Sequence, residues 1–308
     1  MPYFSIVIPV YNKGKFVGKT LKSVLDQTYS DYEIIIVNDG STDHSESVIQ
    51  TFQDDRIRYF SKENEGVAIA RNFGIGKAES EFICFLDADD FWHPHFLETI
   101  KSTIGKCPEQ KVFASAIEVE TGNKTFAANY SIVKKSNFEI VDFFEASEKE
   151  CVLWTSGVAI HKSVFETVGD FDTNIKKGED TELWIRIGLQ YPVVFIWKIS
   201  ARYVYDESGV SRNLNYFFEP YTFEKYAVKE KTNPKLKHYL DLNRFSGVIK
   251  SKLNGDFKTA KSLYKQIDLD TIGWKKVILL QLPSIVLKFL VGFKNFSAKI
   301  GIGKSVFR

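Results

Sequence analysis

The stretch Glu81–Asp90, EFICFLDADD, runs an apolar segment straight into three carboxylates. Phe82, Ile83, Cys84, Phe85 and Leu86 show no polar alternation, which is the pattern of a strand covered on both faces. Asp87, Ala88, Asp89 and Asp90 then fall at its carboxyl end, where open α/β sheets place their ligands. Alternate carboxylates in that position suit a hard divalent ion that shares its oxygen ligands with a bound diphosphate. Taken alone, the cluster also reads as a solvated turn, with Asp90 capping a helix after Phe91-Trp92-His93-Pro94.

Two earlier segments repeat the arrangement. Phe4–Val10 (FSIVIPV) is a continuous apolar run with β-branched enrichment, ended by Tyr11-Asn12-Lys13-Gly14. Phe16, Leu21, Val24 and Leu25 follow at roughly helical spacing, and Tyr32–Val37 (YEIIIV) is another buried strand, stopped by Asn38-Asp39-Gly40. Strands alternating with helices predict a parallel sheet with right-handed crossovers, so the three polar clusters share one rim. Further on, Gly178-Glu179-Asp180 starts a helix whose apolar face is Leu183, Trp184 and Ile187.

FSIVIPVYNKGKFVGKTLKSVLDQTYSDYEIIIVNDGSTD, then NEGVAIARNFGI (Asn64–Ile75), FLDADD and VGDFDTNIKKGEDTELWIRI (Val168–Ile187) together resemble the family-2 inverting glycosyltransferases. The resemblance covers residues 1 to 215. It implies an α/β fold of the GT-A type, a Rossmann-like, mixed and mostly parallel sheet with flanking helices, followed here by a C-terminal helical extension. It also implies displacement at the anomeric carbon of a nucleoside-diphosphate sugar, with UDP as the expected nucleotide. In that scheme Pro9, Tyr11 and Asp39 form the nucleotide pocket, with the Asp39 carboxylate accepting from a base N–H. Arg71 points back toward uracil or phosphate, with a surface salt bridge as the alternative. Asp87 faces the ribose, Asp89 holds Mn²⁺ or Mg²⁺, and Asp90 orients its neighbours. Asp180 is the expected general base, and Glu179 assists it or contacts the acceptor. Many relatives carry a histidine near the segment Val204–Arg212, where it touches metal or diphosphate. This chain has none there, which leaves Asp206, Glu207 or Arg212 as replacements.

Composition fits such an enzyme. The chain has 308 residues, enough for one catalytic domain with an accessory segment. The first apolar run is one strand long and lacks a basic leader, so no secretory signal is expected. Cys84, Cys107 and Cys151 have no paired spacing, and the five histidines make no metal-binding pattern. Reduced thiols and a cytoplasmic location follow. A net charge of +2 gives no reason to expect nucleic acid as a partner. Aromatic residues are abundant, and Trp154 reads either as core or as a platform for a sugar face.

Beyond the catalytic domain, expected over 1–215, the spacing predicts helices over Tyr216–Glu230, Leu236–Leu253 and Phe257–Ile267, which make a helical extension over 216–270. The segment 271–308 is chemically distinct. It carries seven basic residues (Lys275, Lys276, Lys288, Lys294, Lys299, Lys304 and Arg308) and no acid, so the preceding residues carry −5. Gln281, Pro283, Ser284, Lys288 and Lys294 interrupt any apolar run long enough to span a bilayer. An amphipathic helix pair lying on an anionic membrane surface is expected, with a packing or dimerisation element as the alternative. The acceptor would then be a saccharide or lipid-linked saccharide met at the inner face of the membrane, in assembly of a bacterial surface polysaccharide. Two other functions compete: a catalytically idle sugar-nucleotide-binding scaffold, and a nucleotidyltransferase. The four acids Asp87, Asp89, Glu179 and Asp180 weigh against the first, and the lack of a glycine-rich, lysine-bearing phosphate loop near the amino terminus weighs against the second.

Overall fold

The computed structural model describes residues 1–121, 124–205 and 221–299. They form two compact units. One comprises Met1–Ala128, Ile132–Phe143 and Cys151–Tyr205, and the other Asn129–Ser131, Phe144–Glu150 and the described residues from 221 onward.

Among the described residues the first unit is built on a ten-stranded mixed sheet. Its strands are β1 (Phe4–Val10), β2 (Tyr32–Asp39), β3 (Ile57–Lys62), β4 (Phe82–Phe85), β5 (Phe91–Trp92), β6 (Val112–Thr121), β7 (Lys124–Ala127), β8 (Phe138–Val141), β9 (Val158–His161) and β10 (Val193–Tyr205). Their order is β3-β2-β1-β4-β9-β6-β10-β5, with β7 beside β6 and β8 beside β10. The run β3-β2-β1-β4 is parallel throughout. On the far side β9 is antiparallel to both β4 and β6, and β10 returns parallel to β6.

Every residue of β1 and β2 is buried, which accounts for the missing alternation in both segments. Polar residues inside this layer are paired at its amino end. Ser5 Oγ donates to Glu33 Oε1 at 2.6 Å, and Glu33 also takes the backbone N–H of Glu79 and the Arg58 guanidinium. At the other end β4 stops at Phe85, and Leu86 N donates to Val7 O at 3.0 Å. Pro9 lies two residues further along β1 and faces the same side, past the last residue of β4, so its missing N–H removes no ladder bond.

The helix Val17–Leu25 connects β1 to β2 and buries Val17, Leu21 and Val24. The helix Val67–Lys77 connects β3 to β4 and lies against β1 and β2. Its approach is set by Gly74, where an added Cβ would fall inside the contact distance of the Val7 side chain. The thiols of Cys84 and Cys107 are buried, and all three cysteines are unbridged.

In the second unit, the helices Pro234–Leu253 and Phe257–Tyr264 form the expected hairpin. Asn233 and Asp256 cap them, accepting from Leu236 N and Thr259 N at 3.0 Å each. Gly255 turns the chain between them at φ 79°. The single helix expected over 216–230 is not formed. Residues 216–220 lie outside those described, and the remainder holds one helical turn (Tyr221–Glu224) and a 3₁₀ turn (Lys229–Lys231). The physical reason is a set of tertiary anchors: Phe223 and Tyr226 are buried, and Glu230 turns inward to form a two-pronged pair with Arg244 at 2.7 and 3.0 Å. Such anchors override local propensity.

The tail carries two helices, Trp274–Gln281 and Ser284–Lys299. The first is tied down by Leu280, which joins Leu242, Val248, Leu263 and Ile272 in the core of this unit. No helix among the described residues is long and apolar enough to cross a membrane.

Gly74→Ala should cost about 1–3 kcal/mol by forcing Val7 and the helix apart. Gly76→Ala, two residues on in the same helix, meets nothing within 4 Å and should be neutral or stabilising by up to about 1 kcal/mol. Urea midpoints of the two variants check the pair, since a purely propensity-driven effect would move both the same way.

Candidate active site

Three strand ends build the site. β1 delivers Tyr11, Asn12 and Lys13; β2 delivers Asn38 and Asp39; β4 delivers Asp87, Asp89 and Asp90. The clusters are cross-linked along a common rim. Asn12, held at φ 53°, accepts from Thr42 N at 2.8 Å and donates its own backbone N–H to Ser41 Oγ at 3.0 Å. Lys13 N donates to Ser45 Oγ at 2.8 Å. Tyr11 is left 48 % exposed at the rim.

Asp39 sits deeper than the sequence suggests, and only 2 % of it is exposed. Its Oδ1 accepts from Lys62 Nζ at 2.7 Å and Glu65 N at 3.1 Å, and its Oδ2 accepts from Gly66 N at 2.8 Å. The carboxylate thus anchors the start of the helix Val67–Lys77, and a base N–H would have to join donors already present.

The burial of Arg71 overturns the alternative of a surface salt bridge. Arg71 is 4 % exposed and lies over the Phe171 ring, 5.2 Å from its centroid. Nη2 meets Asp87 Oδ1 and Nη1 meets Glu179 Oε1, both at 2.7 Å. Burial opposes its charge, but Asp87 and Glu179 more than restore it, and its pKa lies above the ordinary arginine value. The fork of the guanidinium suits it to two carboxylates at once.

That pairing separates the two acids at the start of the helix Glu179–Gly188. Glu179 is buried on Arg71. Burial raises its pKa and the neighbouring Asp180 charge raises it further, while Arg71 pulls it back. Asp180 is only partly buried, with Oδ1 accepting from Thr181 N at 2.6 Å. Of the two, Asp180 is the more exposed carboxylate.

Asp90 does not cap a helix. His95 occupies the N-cap position of the next helix, Phe96–Lys106. Asp90 is 2 % exposed and accepts from Ser156 Oγ at 2.6 Å and Val204 N at 2.9 Å. Burial, then the nearby Asp89 and Asp87 charges, push its pKa well above the carboxylate range. It latches β10 and the Thr155–Gly157 turn to the rim. Ser156 Oγ also accepts from Asp87 N at 3.1 Å, so the same turn fixes both ends of the acid triplet.

Asp89 Oδ2 lies 2.5 Å from Lys13 Nζ. Burial raises the Asp89 pKa and Lys13 counters it. Lys13 is the main participant that sequence reasoning missed. It was visible only as part of a turn, and nothing in the local pattern says that its side chain meets a carboxylate 76 positions away.

Whether these residues suit a divalent ion depends on how many oxygens they supply. No group of three or more His, Cys, Asp and Glu side chains among the described residues is arranged to hold one. Asp87 Oδ1 is engaged by Arg71, Asp89 Oδ2 by Lys13, and Asp90 by Ser156 and Val204, so the rim brings few oxygens of its own. The set therefore fits an ion shared with a diphosphate that brings most of the oxygens, and does not fit a self-contained metal site. Asp206, Glu207 and Arg212 lie outside the described residues. Trp154 packs against Tyr203 with ring centroids 5.4 Å apart.

Arg71→Met should leave Asp87 and Glu179 without their shared cation and cost about 3–5 kcal/mol at neutral pH. The sign with pH follows from Glu179: its folded pKa, already raised, rises further in the variant, so its contribution is favourable in acid and is lost as pH rises through that pKa. Urea titrations of wild type and variant from pH 4 to 8 should therefore diverge as pH rises. A pH-independent gap would mean that the loss is one of packing.

An uncharacterized glycosyltransferase of Rickettsia felis is 33 % identical over 225 residues, covering 73 % of this chain and 35 % of that protein. The glycosyltransferase GlyG of Streptococcus pneumoniae is 42 % identical over 99 residues, which is 31 % of this chain and 33 % of GlyG. The chain thus spans about a third of the length of either relative. Among solved structures, residues 1–349 of S. aureus TarS in complex with UDP-GlcNAc superpose with a TM-score of 0.59 at 16 % identity, over 86 % of this chain and 92 % of that one. This likeness shows the GT-A type of fold. The family model described as glycosyl transferase family 2 matches residues 5–169, more than half of the sequence, and the chain belongs to that family.

Proposed function

We propose that this protein is an inverting glycosyltransferase that moves a sugar from a nucleoside-diphosphate sugar, with UDP as the nucleotide, to an acceptor hydroxyl. The observation that carries the reading is the Arg71 bridge, which joins the carboxylate at the end of β4 to the helix that presents Asp180. Donor and acceptor chemistry are thereby tied to one another. Family membership supports transfer, and the UDP-GlcNAc and UDP held by S. aureus TarS support the choice of nucleotide.

In this reading Tyr11 covers the base, Pro9 and Asp39 shape the floor of its pocket, and Asp87 faces the ribose with the oxygen that Arg71 does not use. Asp180 takes the proton of the acceptor hydroxyl, and Glu179 holds the helix start in place through Arg71. Mn²⁺ or Mg²⁺ on Asp89 would neutralise charge on the departing diphosphate. Lys13 occupies the same side of Asp89 and must give way or share it as the diphosphate arrives. The acceptor is a saccharide or lipid-linked saccharide in assembly of a bacterial surface polysaccharide, met at the inner face of the cell membrane. A catalytically idle sugar-nucleotide-binding scaffold is disfavoured because Asp180 is left partly open.

Incubation with a panel of nucleotide sugars, followed by assay of the released nucleoside diphosphate, tests the reading. UDP sugars should be turned over, faster with Mn²⁺ than with chelator. Asp180→Asn should keep UDP affinity within about twofold and lose transfer by ~10²-fold or more. A parallel loss of UDP affinity would assign Asp180 to the nucleotide or the fold. The anomeric configuration of the product, read by NMR, must be opposite to that of the donor; retention would rule out the single displacement.

Asp89→Asn should weaken Mn²⁺-dependent UDP binding in calorimetry and leave metal-free UDP binding unchanged. Equal binding by wild type and variant at every Mn²⁺ concentration would remove the metal from Asp89.

A further inference from the structure

The tail helix Ser284–Lys299 is amphipathic in the wrong sense for a helix of a soluble core. At about 100° per residue, Ile285, Phe289, Phe293, Val286 and Leu290 share an arc roughly 140° wide. A helix buries its widest apolar face when a protein core is available to receive it. Here that face points outward: Ile285 is 77 % exposed, Phe289 73 % and Phe293 62 %. Leu287, about 60° beyond the arc, is buried and seats the helix beside Pro234–Leu253 in the second unit.

The preceding helix extends the pattern. Leu280 is its buried anchor, while Trp274 is 69 % exposed and Ile278 51 %. Lys252 Nζ reaches the carbonyls of Leu280 and Leu282, at 2.5 and 3.2 Å, and fixes the corner between the two helices. Large apolar side chains exposed in such number on two successive helices mark an interaction site. At about 100° per residue Lys275 and Lys288 lie within about 60° of the exposed apolar side chains of their helices, Lys276 is next to Lys275, and no acid occurs anywhere from 271 to 308.

We propose that the outward face of these two helices is a docking surface for an anionic lipid bilayer, into which Ile285, Phe289 and Phe293 insert while the lysines meet the headgroups. It deepens the membrane-face location given above and is independent of the transfer chemistry. Charge selects the occupant. An isologous contact with a second copy would set this basic patch against itself, with no acid from the patch to meet it. Anionic headgroups supply the missing counter-charge, and their acyl boundary supplies the apolar phase. The helices lie in the interface without crossing it, consistent with their length and interruptions.

The full chain should cosediment with vesicles of phosphatidylcholine containing about a third phosphatidylglycerol, and far less with phosphatidylcholine alone. The combined variant I285S, F289S and F293S should bind at least about tenfold more weakly at any salt concentration, because the insertion is lost. A second variant, K275E, K276E and K288E, should lose the preference for anionic vesicles and the salt dependence with it. All six positions are on exposed or part-exposed faces, so thermal unfolding of both variants should match wild type. Equal vesicle binding by wild type and the serine variant would overturn the proposal, as would wild type that ignores anionic vesicles. So would sedimentation velocity that shows a dimer broken by the serine substitutions without any vesicle binding. Because binding is read without turnover, an inactive protein that still binds would refute only the transfer reading.

Discussion

One buried guanidinium holds together the two halves of the site. Asp87 ends a strand at the centre of the sheet, and Glu179 opens a helix 108 positions beyond Arg71, yet both carboxylates lie 2.7 Å from the same side chain. Burying either acid alone would be costly, and burying the cation alone equally so. Together with the Phe171 ring beneath them they form a set from which no member can be removed without stranding another. The bond therefore fixes where the helix Glu179–Gly188 begins, and with it where Asp180 faces the rim.

A second set of contacts prepares the same rim for charge. Asp89 is paired with Lys13, and Asp39 with Lys62 and two backbone N–H groups. Asp90 is the exception. Burial first, and then the Asp89 and Asp87 charges, raise its pKa, and the bonds from Ser156 Oγ and Val204 N only partly offset them. Three consecutive-looking acids thus have three different environments: one shared with arginine, one with lysine, one spent on structure. The division of labour comes from which elements pass nearby, namely the helix after β3, the turn after β1 and the far strand β10.

The second unit shows how charge and apolar surface can be sorted along one chain. Its inner helices spend their polar residues on one another: Asp241 is fully buried and takes Lys237, Arg244, Asp268 N and Thr271 Oγ. The tail has no acids to spend. Among the described residues, Ile272, Leu280 and Leu287 are taken up by the body of the unit, while Trp274, Phe289 and Phe293 stay exposed, as do Lys275 and Lys288.

The sequence by itself determined the strands, the helices between them and the rim. Continuous apolar runs such as Phe4–Val10 leave no other stable element in the core of an α/β layer, and polar clusters at their carboxyl ends fix the ligand face. It also carried the resemblance in four ordered blocks, the helix start at Glu179-Asp180 and the segregated charge of the tail. Only the tertiary structure decided which side chains meet. Arg71 reads from sequence as a residue aimed at a nucleotide, and its pairing with both Asp87 and Glu179 is visible only in space; Asp90 reads as a cap and instead accepts from Val204, 114 positions away. The broken helix before Thr232 has the same origin, since Phe223, Tyr226 and Glu230 answer to partners in space. Periodicity records the direction in which a residue points relative to its own element, within a turn or two. The partner at the end of a long side chain is set by how distant elements pack, and no local pattern encodes that distance.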